Sequence, residues 1–456
     1  MPLLESESFM KYAVFIIAAL GVPPLAFLLY IDRKWLKYAF AAMVAAMAFY
    51  HETSINFFSN ESYRGSARGM EVSVIYLFAM AVLLALKLRG KFKSWFPEWG
   101  FRIYCLYFLS CLPSMYVAAD RLIAWYEVWK MIMLYIFYLS VYTYLKGTDD
   151  LRTVIKALAV FVVGNMLTIV KDHLSGIYQP HGFFPHQNGM AVAMHLFGSM
   201  FFAAYLCNGF KTKFGKWCTA AFVCAAGAVV RSYSRGAIAL TPIAYGITTL
   251  CCIRIGKTRR WMMRMLPIAA AGAVAFALIV PRIVERFQNA PEASKNTRVE
   301  LAYCAAEMIK DKPWTGVGIN NWGIKINPPY EYAELAGRDT GRKGEFQDGI
   351  VETVYLLVCA ECGIPALVLM LAWFGWYLIS CIRLMRRLRG TEYFFVPAGL
   401  FGGQIVAYLQ SCLEWVFRQQ LNLICLMFMF AMISYLNQSW RHLVREAHKE
   451  RVERRK

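Results

Sequence analysis

Arg231 and Arg235, in the run VVRSYSRGAIAL, stand beside apolar stretches. At the centre of a membrane helix an unpaired arginine costs about 2.5 kcal/mol or more on insertion scales. If a helix continues through both, their spacing of four sets them on one face, where two forked donors suit phosphate oxygens. The alternative is that both snorkel to lipid headgroups. The run HGFFPHQNG holds His181, His186 and Asn188 just ahead of an apolar stretch that starts near Met190. Asn188 is placed either to cap that helix or to hydrogen-bond a ligand hydroxyl. The run FQDGIVETVYLLVCAECGIPALV puts Asp348 and Glu352 at the mouth of another apolar stretch. One of them can act as a general base if burial or its partner raises its pKa, or both can simply complement a helix dipole. Between these runs, NTRVELAYCAAEMIKDKPWTGVGINNWG carries Arg298, a Gly316 and Gly318 turn after Pro313, and Asn320 and Asn321, which are expected to contact substrate. A GxG alone is a weak signal.

The elements that must position these residues are membrane helices. Of 456 residues 59% are hydrophobic and 17% charged, with mean hydropathy +0.42. That apolar content exceeds a soluble domain's. Stretches such as Tyr12 to Tyr30, Val72 to Leu86 and Leu423 to Leu436 suit helices, which satisfy their own backbone in lipid, while the alternating strands of a barrel are absent. The fold class is an all-α polytopic membrane protein of about 12–13 spans. The first run follows Glu5 and Glu7 with no cleavage signal, so it reads as a retained helix. Most of the thirteen cysteines fall in or beside spans and read as packing residues, including the Cys359 and Cys362 pair.

The net charge of +20 is spread over short connections rather than gathered in one aromatic-studded patch, which leaves nucleic-acid binding without support. Basic clusters at Arg33, Lys34 and Lys37, at Lys87 to Lys93, at Lys211 to Lys216, at Arg254 to Arg264 and at Arg383 to Arg389 mark the cytoplasmic side, as does the tail from Arg441 to Lys456. The alternate connections then face outward: His51 to Met70, Asp120 with Arg121, Lys171 to Asn188, Arg231 to Arg235, and the long segment from Arg282 to Gly349. That segment predicts a helix over Thr297 to Ile309, with Val299, Ala302, Ala306 and Ile309 on one face. The expected organisation is N-terminal spans over 1–170, spans with the His/Asn and Arg elements over 171–281, an extracytoplasmic loop domain over 282–350, C-terminal spans over 351–440 and a basic tail over 441–456. Repeats of 20 to 50 residues are absent. The Asp149 and Asp150 pair, on the cytoplasmic side, reads as a helix start.

Taken in order, these runs resemble the O-antigen ligase and polymerase superfamily of bacterial envelope glycosyltransferases over about the C-terminal two thirds of the chain. A G-x-F-x-H-P-N element matches Gly182, Phe184, His186 and Asn188, with Gln187 in place of its proline. An S-R-G element matches Ser234, Arg235 and Gly236, and an arginine that opens a loop helix matches Arg298. A D-x-P-x-x-G-x-G element matches Asp311, Pro313, Gly316 and Gly318, and a closing Y-L-x-x-x-x-E-x-G-I-P element matches Tyr355, Leu356, Glu361, Gly363, Ile364 and Pro365. Ligases of the family carry a histidine-asparagine pair nine residues before that glutamate. Here Glu352 and Thr353 stand there, which favours a polymerase.

The resemblance implies a C-type glycosyltransferase fold in the bacterial inner membrane. It implies transfer of a glycan from undecaprenyl pyrophosphate to an acceptor hydroxyl, with no nucleotide sugar, catalytic metal or other cofactor. Arg235 and Arg298 are then expected to hold the pyrophosphate, and Glu352, or else Asp348, to take the proton. Arg231, His181, His186, Asn188, Asn320 and Asn321 are expected to contact the substrate. The rivals are a ligase moving the glycan to a lipid core or a protein, and a transporter of lipid-linked sugars. The charged Glu127, Lys130 and Glu414 within or beside spans keep the transporter in view.

Overall fold

The computed structural model describes residues 12–60, 62–92, 94–209, 212–253, 292–338 and 349–453, with scattered positions between 263 and 281. Asp348 lies outside the described residues, as do Glu5, Glu7, Lys93, Lys211, Arg254, Lys257, Arg259, Arg260 and the last three residues. Helices dominate: α1 (Tyr12–Ile31), α2 (Arg33–Ala46), α3 (Val74–Leu88), α4 (Trp99–Val117), α5 (Arg121–Tyr144), α6 (Thr148–Leu174), α7 (Gln187–Asn208), α8 (Lys213–Arg231) and α9 (Arg235–Ile253). They continue with α10 (Glu292–Asp311), the single turns α11 (Trp322–Lys325) and α12 (Tyr332–Leu335), then α13 (Val354–Arg387), α14 (Phe395–Gln410) and α15 (Gln420–Glu453). Among the described residues, strands occur in one antiparallel hairpin, β1 (Ser54–Phe57) with β2 (Met70–Ser73).

The chain is an all-α polytopic membrane protein. Among the described residues eight helices are long and apolar enough to cross a membrane, namely α1, α5 to α9, α13 and α15. The others fall short in length or composition. Helices α7 and α15 form the centre: 94% of each apolar window is enclosed by protein, against 11% for α1, which turns its side chains outward. Glycines of α14 permit close approaches between helices. A Cβ on Gly399 would lie 2.3 Å from the Met200 Cα of α7, and one on Gly402 2.4 Å from the Thr248 hydroxyl of α9. Small residues at such crossings let dispersion contacts replace the hydrophobic drive that lipid does not supply. Asp149 and Asp150 do stand in the first turn of α6.

Helix α13 breaks at Gly363, whose φ of 82° and ψ of 172° interrupt its hydrogen-bond ladder, with Pro365 just beyond. Groups freed inside an apolar bundle need partners. The chain after α10 supplies them: Val317 donates to the Ala360 carbonyl at 2.9 Å, Gly318 to that of Glu361 at 3.0 Å, and Ile364 to that of Pro313 at 2.8 Å. Two of the sequence elements, D-x-P-x-x-G-x-G and E-x-G-I-P, are therefore the two halves of one backbone junction. Their glycines are dictated by it. Gly316 has φ of 68°, and a Cβ there would sit 2.2 Å from the Glu361 carbonyl carbon; one on Gly363 would sit 2.4 Å from the Trp314 oxygen.

Beneath this junction lies a buried charge network. Arg418, in the connection between α14 and α15, donates to Glu127 of α5 and to Glu361 of α13, each at 2.7 Å. Lys130 pairs with Glu127 at 2.6 Å and donates to the Arg418 carbonyl at 2.9 Å. All four side chains are at most 6% exposed. Two anions face two cations, so Glu127 and Lys130, two of the three charges that kept a transporter in view, are satisfied here. Removing one partner of such a buried set typically costs about 3–5 kcal/mol, because it strands the opposing charge. Arg418→Gln is therefore expected to lower the thermal unfolding midpoint of the detergent-solubilised protein by many degrees. A midpoint equal to that of the unsubstituted chain would show that the network carries no such weight.

Candidate active site

The connections assigned outward by charge converge at one end of the bundle. The hairpin loop sends the Tyr63 hydroxyl to the Asn320 carbonyl, and Ser66 lies 3.0 Å from the Asn320 Oδ1. The Asn320 amide donates to the carbonyls of Ala67 at 2.8 Å and Ile123 at 2.9 Å. Asn321 accepts from the Asp120 N–H at 2.8 Å and donates back to the Asp120 carbonyl at 3.1 Å. Both asparagines are fully buried, and their amides are spent on tying the loop to the start of α5. They brace the site rather than line it.

Helix α10 carries Arg298 out over this end. It covers the predicted helix, but the face it packs is Leu301, Cys304, Ala305 and Met308, while Val299 is 47% exposed. The expected stripe is thus rotated by about one position, because the loop's own hydrophobic cluster with Trp322 and Ile326 defines the inner side. Arg298 pairs through Nε with Glu352, which sits just ahead of α13, and its Nη2 lies 3.6 Å from Glu414. Glu414 in turn accepts a hydrogen bond from the Asn188 amide. Four residues from four segments therefore make one connected set at the mouth of the bundle: Arg298, Glu352, Glu414 and Asn188.

The cap of α7 is His186, whose Nδ1 accepts from the Asn188 N–H at 3.3 Å. The capping alternative for Asn188 is thereby overturned, since its amide turns to Glu414. The HGFFPHQN element is itself pinned by α6, with Phe183 donating to the Asn165 Oδ1 at 3.0 Å and Gly182 to Asp172 at 3.3 Å. Burial, with a smaller push from His181, lowers the His186 pKa, so its ring is an acceptor rather than a cation near neutrality.

The two arginines behave differently. Helix α8 ends at Arg231 and α9 begins at Arg235, with Tyr233 between them at φ 51°. The continuous helix needed to place both on one face does not form. Arg231 turns to His173 and stacks over the Tyr233 ring at 5.2 Å, whereas Arg235 opens α9. Its neighbour Gly236 lies against Leu413, the residue before Glu414, so Arg235 starts a helix beside the Arg298 cluster. His181 precedes the α7 cap, and Glu361, fully buried, belongs to the charge network under the junction.

Electrostatics set the two carboxylates apart. Burial raises the Glu352 pKa and Arg298 pulls it back. Burial and the neighbouring Glu352 push Glu414 up to about 7, against the pull of Arg298 and the Asn188 amide. The charge on Glu352 thus favours the protonated form of Glu414. Sequence reasoning met Glu414 only as a charge near a span. The signal that could have singled it out is the connection CLEWVFRQQ, where an acid and a base separated by three residues interrupt an otherwise apolar stretch. A separate open cleft of about 550 Å³ is lined by Glu307, Lys310, Asp311, Pro329, Tyr330 and Tyr332, among others. Its α10 residues lie about 14 to 20 Å along the helix from Arg298, at 1.5 Å per residue.

Residues 220–371 match the family model described as O-antigen ligase. This stretch holds Arg231, Arg235, Arg298, Glu352 and both halves of the backbone junction. No curated protein matches the chain. The match upholds the resemblance to the O-antigen ligase and polymerase superfamily, and with it a general role as a glycan ligase or polymerase, an enzyme of the glycosyltransferase kind set in a membrane by several spans.

Infrared titration of the purified protein is expected to show a protonated carboxyl band that disappears near pH 7 and is missing from Glu414→Gln. In Asn188→Ala, which loses a donor to the ionised form, the band should persist to higher pH. A band that titrates near 4.5 in all three proteins would contradict this electrostatic picture.

Proposed function

With an O-antigen ligase domain over residues 220–371 as the premise, we propose that the chain transfers a glycan from undecaprenyl pyrophosphate to an acceptor hydroxyl at the Arg298 cluster. The observation that carries this reading is the joining of Arg298 to two carboxylates beside the start of α9, where Arg235 stands. The acceptor oxygen attacks the sugar carbon bonded to the pyrophosphate, Glu352 takes the hydroxyl proton, and the carbon–oxygen bond to the pyrophosphate breaks with its electron pair going to the leaving group. Arg235 and Arg298 hold that group and stabilise the negative charge it gains. Pyrophosphate leaves well once its charge is met, and the two guanidinium groups supply that charge, so no divalent cation is required.

Glu352 in place of the ligase histidine favours a polymerase that joins repeat units. The family description, O-antigen ligase, favours the second reading, in which the finished glycan passes to a lipid core or a protein. The orientation read from the basic connections supports a site on the periplasmic face of the inner membrane. Under either reading the cleft on α10, with its tyrosine rings and carboxylate acceptors, suits the sugar chain that extends from the donor.

Arg298→Ala, Arg235→Ala and Glu352→Gln are each expected to reduce transfer by about 100-fold or more, the range for losing a positioned acid–base or charge-stabilising group, with protein levels normal. Normal transfer in Arg298→Ala would end the mechanism. EDTA should leave the rate unchanged, and a reproducible loss would introduce a metal. Purified protein given lipid-linked repeat units alone separates the two readings: a ladder of longer products means polymerase, and no product without a second acceptor means ligase.

A further inference from the structure

Arg298 has two demands on it. In the structure it is held by Glu352 and reaches towards Glu414, whereas the proposed reaction needs the same guanidinium on a pyrophosphate. Resting on that reading of the site, we propose that Glu414 is a positioning residue of the transfer reaction. The carboxylate pair competes with the donor for Arg298 and yields it while Glu414 carries a proton.

The geometry supplies the competition. Glu414 is 17% exposed on its side chain and Glu352 33%, so both sit at the rim where a donor headgroup would arrive. Among the described residues the charged groups facing Glu414 are Arg298 of α10 and Glu352 ahead of α13. Helix α7 contributes the neutral Asn188, and Arg418 on the same connection turns inward to Glu127 and Glu361. With both carboxylates ionised, Arg298 faces two anions that hold it away from an incoming pyrophosphate. With one proton on Glu414 a single anion holds it, and Arg298 can move to the donor while Glu352 stays ionised to accept the hydroxyl proton. Once Arg298 has moved, Glu352 loses its cation and becomes a stronger base. Donor binding and base activation are thus one event. Burial and the neighbouring Glu352 place the Glu414 titration near neutrality, where this exchange can operate.

The test is a pH profile of transfer by the purified full-length protein, using as donor the lipid-linked glycan extracted from cells that lack it. For a group titrating at about 7, the protonated fraction falls about 25-fold between pH 6.5 and 8.5. The unsubstituted protein should therefore lose kcat/KM by about that factor across the interval, chiefly through a rise in KM for the donor. Glu414→Gln, permanently neutral yet still able to accept from Asn188, should show a nearly flat ratio. Asn188→Ala should move the fall to higher pH, and it decides the matter if Glu414→Gln proves unstable. A Glu414→Gln profile that falls as steeply as the parent's, or a fall in Asn188→Ala that stays put or moves to lower pH, overturns the proposal. If the unsubstituted protein transfers nothing at any pH, the proposed function itself fails, whereas measurable transfer with no fall between pH 6.5 and 8.5 overturns the role of Glu414 alone.

Discussion

Much of this bundle hangs on one guanidinium. Arg418 is 3% exposed and binds a carboxylate from each of two helices, Glu127 of α5 and Glu361 of α13. Its cost in a low-dielectric interior is met by two ionic partners, and Lys130 balances the remaining charge. The consequence reaches the site through covalent geometry. Glu414 is only four residues from Arg418, so anchoring Arg418 under the broken helix sets where Glu414 emerges at the rim. The same Glu361 accepts from the Trp322 N–H at 3.3 Å, which ties the loop domain to that anchor.

The break in α13 turns this anchor into a platform. A helix interrupted inside an apolar bundle exposes carbonyl and amide groups that lipid cannot satisfy. Only a segment able to lie directly against the helix backbone can take their place, which is why Gly316 and Gly363 face each other's main chain with no room for a Cβ. Once docked, that segment fixes the end of α10, and α10 in turn projects Arg298 over the mouth of α13, where Glu352 waits. The backbone junction thus supports the helix from which Arg298 reaches the two carboxylates.

How much of this could be read from residues depended on what each signal measured. Hydropathy and basic connections reported burial and charge bias directly, so the all-α membrane fold and the gathering of the alternate connections at one end were legible. The helix at Thr297 to Ile309 was legible too, but its inward face was not, because the apolar positions on both sides of it compete and only Trp322 and Ile326, distant in sequence, decide between them. Arg231 and Arg235 looked like a pair at helical spacing. Whether the helix continues through Ser232 to Ser234 is settled by Tyr233 adopting positive φ, which spacing does not encode. The GxG turn was undervalued for a related reason: a glycine required by a distant backbone looks the same in sequence as one required by a local turn.

Glu414 shows why a carboxylate's role cannot be taken from its position relative to a span. Near an apolar stretch, a charge is costly in isolation and suggests a transport path. In the folded chain the same residue faces Arg298, Glu352 and the Asn188 amide, so its cost is offset locally and its ionisation is tied to a neighbour. The replacement of a histidine by Glu352 gains sense in that light. A histidine at this place would be a base with its own titration near neutrality, whereas a lone glutamate, exposed beside an arginine, would be too weak a base at neutral pH. Partial burial raises its basicity, while Arg298 pulls it back. In the proposed reaction the glutamate base and its acidic neighbour share Arg298, so a change to either carboxylate alters the charge that Arg298 offers the other.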